Sequence, residues 1–365
     1  MGTGIVSILL NTLPYNGQWL YWISVAIFAF NVLLFIIFLA ITILRYLLYP
    51  GIFPVMATHP TQSLFLGTFP MALATIVIMF CNVCVPAWGE WASYFALGLW
   101  VVDATVSALT CFGIPFMMMT RQPETNLASM GAPWLLPIVT CVVSSSSGAI
   151  VAGVLPHPQY ALGTLVASFV LWSVGVPFAL MMMVIYLLRL MLYKLPPKSI
   201  IVSTFLPLGP IGQGGYAIQI LGGVARTVFP KTNTLRPGAG ETLYDMGFAA
   251  GLFFWAFGLL WLFFAVASIL RTRKFPFNHG WWAFTFPVGV YASCTCQLGQ
   301  AMPSRFFKVL GTILSLCVVL LWIVVSVLTT RGIYNRSLFV APCLVDLRQR
   351  QREQLEEHRR ATAIE

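Results

Sequence analysis

Long apolar runs separated by short polar stretches recur along the whole chain, at a length suited to membrane-spanning helices. They lie near 18–44, 64–87, 91–119, 132–154, 160–188, 199–226, 246–270, 280–301 and 307–330. A further apolar segment, MGTGIVSILLNTL, opens the sequence, and Asn16 and Gln18 stop it from lengthening forward. It is read as a first helix truncated at its N-terminus. The expectation is an all-α membrane protein of ten transmembrane helices. Residues 1–335 form the membrane domain, and 336–365 form a charged cytosolic tail.

The runs are of two kinds. Those at 18–44, 160–188, 246–270 and 307–330 are rich in Leu, Phe, Val and Met and, apart from Pro177, free of proline. Others are interrupted: GTFPM at 67–71, PWLLPIV at 133–139, FLPLGPIGQGG at 205–215 and FTFPVGV at 284–290. An apolar residue precedes each recurring proline, as Phe69-Pro70, Leu136-Pro137, Leu206-Pro207 and Phe286-Pro287. One more step back lands on Met1-Gly2-Thr3-Gly4. The pattern predicts five helical hairpins around a central pore. In each, an odd helix kinked at Pro or Gly (Pro70, Pro137, Pro207, Pro210, Pro287, Gly289) pairs with a smoother even one. A proline removes an i→i−4 hydrogen bond and is expected to free carbonyls such as those of Leu66, Ser203 and Ala283. Irregular backbone at membrane depth is tolerated only inside protein or along a water-filled cavity. A lone kink only re-aims a helix, whereas a repeated set favours a shared pathway.

The lining of such a pathway selects its cargo. Half-helices that begin at the breaks present N–H groups and a positive dipole end, which attract anions. Candidate lining residues are Gly2, Thr3, Thr68, Phe69, Leu206, Gln213, Gly214 and Thr285, with the run Ser144, Ser145, Ser146 and Ser147. The serines serve equally well as pore donors or as local backbone partners in close helix packing. No Lys or Arg lies deep in an odd segment, which suits a weakly held anion that must also leave.

Composition narrows the classes. The chain is 59% hydrophobic and 8% charged, with a mean hydropathy of +0.87, which excludes a soluble domain. A net charge of +10 raises nucleic acid as a partner, but its placement answers otherwise. Arg45, Arg121, Arg189, Lys194, Lys198, Arg271, Arg273, Lys274, Arg331, Arg336 and the tail arginines fall on one side. Arg226, Lys231, Arg236, Arg305 and Lys308 fall on the other. The richer side is cytoplasmic, with both termini. The smaller set is either a basic rim or ordinary loop charge. Eight cysteines include Cys81-x-x-Cys84, a zinc spacing without a second pair, so no metal and no cofactor are expected. Asn335-Arg336-Ser337 is a glycosylation motif on the wrong side for use. Asp103 is the one charged residue well inside a span, either a proton-coupling group or a buried structural one. No catalytic cluster accompanies it, which disfavours an enzyme. A receptor would not require matched breaks.

GTFPM at 67–71, LGPIGQGG at 208–215, WWAFTFPVG at 281–289 and the opening MGTGIVSILL resemble the tellurite-resistance/dicarboxylate transporter family, which is slow-anion-channel-like. The resemblance covers essentially the whole chain. It implies five hairpins around an anion pathway, a homotrimer with one pore per protomer, and a phenylalanine plug at Phe286. The Pro210-x-Gly212-Gln213-Gly214 run favours the branch that exports sulfite or bisulfite over the malate permeases. The implied function is therefore export of a small inorganic anion across a fungal plasma membrane. A proton-coupled malate carrier and a general anion channel of the same family are the alternatives. Phe286 is either the gate of that path or a ring packed between helices.

Overall fold

The computed structural model describes residues 1–124 and 126–336. The tail from residue 337 onward, Ser337 of the glycosylation motif included, lies outside the described residues. The helices are α1 (Gly2–Thr12), α2 (Gln18–Leu48), α3 (Ile52–Thr58), α4 (Thr68–Trp88), α5 (Glu90–Thr120), α6 (Leu136–Val154), α7 (Pro158–Tyr193), α8 (Leu208–Thr232), α9 (Ala239–Thr272), α10 (Thr285–Ala301) and α11 (Arg305–Tyr334). No strand occurs among the described residues. Helices satisfy every backbone group internally, the condition that lipid imposes on any open chain.

Among the described residues, seven stretches are long and apolar enough to cross a membrane: Gln18–Leu48, Ser63–Trp88, Glu90–Thr120, Ala132–Val154, Pro158–Tyr193, Ala239–Thr272 and Arg305–Tyr334. Helix α1 is a shorter apolar helix. The seven coincide with runs read from the sequence. The other two runs fold as α8 and α10, whose glycine, glutamine and hydroxyl residues lower their hydropathy.

The helices divide by burial. The apolar window of α6 is 94% buried, whereas that of α2 is 11% buried. Inner helices α1, α4, α6, α8 and α10 form a closed ring, each packed against the next and α10 against α1. Outer helices α2, α5, α7, α9 and α11 each lie against the inner helix that precedes them. Val6, Leu9, Val77, Ile138, Val142, Ile211 and Val290 fill the core between them.

The prolines are used differently from the kinks expected of them. Short 3-10 segments, Ser63–Gly67, Ala132–Leu135, Lys198–Phe205 and His279–Phe284, lead into α4, α6, α8 and α10. Pro70, Pro137, Pro210 and Pro287 then occupy the first turn of the α-helix, and Pro207 caps α8. A first-turn residue has no intrahelical acceptor for its N–H, so proline costs nothing there. The carbonyl of Ser203 is not left free, because the Leu206 N–H donates to it at 2.9 Å. That of Leu66 likewise accepts from Thr68 N–H. The chain changes helical pitch at these points instead of breaking inside an α-helix. Gly289 lies within regular α10, and a methyl group there would come within 2.6 Å of Ile5, so its smallness admits α1. Gly212 is less forgiving, because a methyl group would sit 2.7 Å from the backbone of Tyr291, where α8 crosses α10.

Candidate functional site: a chamber at the helix starts

The 3-10 segments enclose a chamber of about 470 Å³ where α4, α6, α8 and α10 begin. Met71, Val139, Gly209 and Phe286 line it from the first turns of α4, α6, α8 and α10, with Thr68 and Leu206 about a turn earlier along the chain. Phe286 is 4% exposed and Leu206 is also buried. The ring of Phe286 is held by its position in the first turn of α10, immediately before Pro287. A second chamber, of about 570 Å³, lies between α1, α2 and α4 and is lined by Gly2, Thr3, Asn31 and Phe69. Thr68, His279 and Trp282 border both chambers.

The remaining residues singled out from the sequence scatter around these spaces. Phe69 turns toward α2 and stacks on Phe35 at 5.5 Å. Thr3 accepts from Trp322 Nε1 at 3.1 Å, and Thr285 donates to the Trp282 carbonyl at 2.8 Å. All four serines of the 144–147 run are fully buried, and none lines either chamber. Ser146 donates to the Val143 carbonyl at 2.8 Å and Ser147 to the Ser144 carbonyl at 3.0 Å, the local backbone bonding weighed above. Ser146 also accepts from the side-chain amide of Gln213, which ties α6 to α8 inside the ring. The Ser145 hydroxyl has no hydrogen-bond partner. Gly214 offers its carbonyl to Trp172 Nε1 at 2.9 Å.

Asp103 is fully buried on α5, toward α6, with the Ser144 hydroxyl beside it. It borders neither chamber. One turn on, the Ser107 carbonyl accepts from Thr140 at 3.0 Å. On α8, Arg226 pairs with Glu241 at 3.0 Å and lies over the Tyr244 ring at 5.1 Å, so it is not a free member of a basic rim.

Two groups of residues escaped the sequence reading. Tryptophans of the outer helices clamp inner-helix backbone, as Trp100 does through its bond to the Ser144 carbonyl at 2.9 Å. No spacing rule distinguishes such a tryptophan from one facing lipid. The second is His279, at the start of the 3-10 segment before α10, which borders both chambers. Its nearness to the interrupted segment at 284–290 was the available signal.

Among the described residues, no Lys, Arg, Asp or Glu side chain lines either chamber. What faces the first one is a set of helix starts and the hydroxyls of Thr68, Ser129, Ser199 and Ser203. That arrangement favours negative charge without binding it tightly.

Comparison with known proteins agrees with this chemistry. A family model described as voltage-dependent anion channel matches residues 1–330. The chain is 49% identical over 339 residues to the sulfite efflux pump SSU1 of Arthroderma otae, across 93% of this chain and 90% of that protein. It is 31% identical to the sulfite efflux pump SSU1 of Candida albicans, across 86% of this chain and 68% of that one. A malic acid transport protein of Schizosaccharomyces pombe matches at 24% identity, across 91% and 76%.

Proposed function

The chain belongs to the voltage-dependent anion channel family, and from that premise we propose that it exports sulfite or bisulfite from the cytosol across the plasma membrane. In this reading α1, α8 and α10 also cross the bilayer, giving ten crossings in five hairpins, and three copies assemble. The chamber lies at the end of the bundle that carries Arg45, Arg121, Lys194, Lys198 and Arg271, and the positive-inside rule assigns that end to the cytosol. The anion enters there and sheds part of its water against the chamber wall. It then passes the ring of Phe286, which blocks a hydrated ion until the ring rotates.

The observation that carries the proposal is the lining: a chamber at four helix starts, without a fixed charge, closed by a buried aromatic ring. A small inorganic anion fits it better than malate. A dicarboxylate is best held by a bidentate cationic clamp, and the lining contains no arginine or lysine. The test is flux from proteoliposomes loaded with sulfite, malate, nitrate or chloride, under clamped voltage and with or without a pH gradient. Sulfite-selective efflux supports the reading. Malate-selective efflux moves the chain to the carboxylate carriers, and no anion flux overturns it.

A further inference from the structure

Among the described residues, His279 is the only ionisable side chain that borders either chamber. Twenty-seven residues line the first chamber, and apart from His279 their side chains are apolar, hydroxyl, amide or indole groups. The amino group of Met1 is the other titratable group there. The imidazole is placed by its neighbours. Asn278 caps the 3-10 segment His279–Phe284 by accepting from Gly280 N–H at 2.8 Å, and its amide donates to the Ser199 carbonyl at 2.6 Å. These bonds staple the segment to the one before α8 and fix His279 at the rim of both spaces. The elements packed against it are the Lys198–Phe205 segment, α10 and α11. Their charged or titratable groups near this end are Lys198, Arg331 and Tyr334, all exposed and none on either chamber wall.

We propose that His279 is the anion-recruiting residue of the cytosolic mouth, donating a ring N–H to an oxygen of the oxyanion before it reaches Phe286. This rests on the anion-export reading above and names the side chain that captures the substrate of that site. A neutral lining releases its cargo readily but concentrates it poorly, and one donor at the rim corrects the second property without a trap further in.

The experiment uses the full chain in oriented proteoliposomes, with initial sulfite flux measured against sulfite concentration on the cytosolic face at pH 5.5 to 7.5. H279Q keeps a donor but no charge, H279A removes both, and H279K fixes the charge. The expected result is a KM raised roughly three- to tenfold by H279A at pH 5.5, with maximal flux within about twofold. H279K should restore the low KM. H279Q, which keeps a donor, should lie between H279A and wild type. A KM that stays within about 1.5-fold of wild type in all variants overturns the assignment. If wild type moves nitrate but not sulfite, the substrate reading fails, and the same KM comparison run with nitrate decides the role of His279.

Discussion

The replacement Phe286→Ala separates a gate from a packing residue because the two roles predict opposite pairs of numbers. The ring is 4% exposed but borders a chamber of about 470 Å³ on one side. Were it ordinary packing, enclosed on all sides, its removal would cost about 3–5 kcal/mol of stability and leave flux unchanged or lower. A ring that faces an open chamber has fewer neighbours to lose, so the gate role predicts about half that cost. It also predicts a faster ion. A barrier lowered by about 1.4 kcal/mol gives a tenfold rate, and removing the Phe286 ring from the chamber wall is expected to lower it at least that far. Flux from sulfite-loaded proteoliposomes and thermal unfolding in detergent are read on the same preparations. Phe286→Leu, which retains bulk, is expected to fall between wild type and Phe286→Ala in flux. A Phe286→Ala protein with wild-type flux and a large loss of thermal stability would refute the gate.

Gly212→Ala forces a methyl group against the Tyr291 backbone and is expected to cost about 1–3 kcal/mol, read as a lowered Tm. Gly223→Ala, where the added methyl meets open space, is the control expected to change nothing. Ser146→Ala strips the buried Gln213 amide of its partner, for a loss of about 1–3 kcal/mol, and Gln213→Leu in the same chain is expected to recover part of it. Arg226→Ala breaks an ion pair whose side chains are 49% and 61% exposed, so stability should change by less than about 1 kcal/mol and sulfite flux not at all. Asp103→Asn keeps shape, and because Asp103 borders neither chamber the variant is expected to keep flux and its response to a pH gradient within about twofold. A lost response would make this carboxyl the proton-coupling group.

The division into smooth and interrupted helices was legible because lipid forbids unsatisfied backbone, so wherever Pro or Gly recurs the chain must have protein or a cavity beside it. Pro70, Pro137, Pro207 and Pro287 marked the starts of the inner helices for that reason. Their mechanics were not legible. Whether a proline sits mid-helix or in a first turn depends on where the 3-10 segment before it ends, and that is set by packing, as where the 198–205 segment meets the 279–284 segment. Gly289 was read as a break because glycine spacing looks the same whether it loosens a helix or admits a neighbour such as Ile5. The serine run stayed ambiguous for a related cause. Ser146 and Ser147 bond to their own helix, Ser144 lies by Asp103, and only the rotation of α6 decides which of them meets Gln213. His279 was invisible in its role because its partners are spaces, not side chains.

The closed inner ring constrains how anything could move through it. Five helices joined in a circle, with backbones almost touching at Gly212 and Tyr291, have a fixed circumference: widening one seam compresses another. A ring held in this way favours a small moving part, the Phe286 side chain, over a rocking of whole helices. In that proposed mode the protein has no stroke with which to perform work on its cargo. Net direction then comes from outside it, from the concentration of anion on each side and from a membrane potential worth about 2.3 kcal/mol per charge for each 100 mV. In a cell whose interior is negative, an anion given such a path leaves.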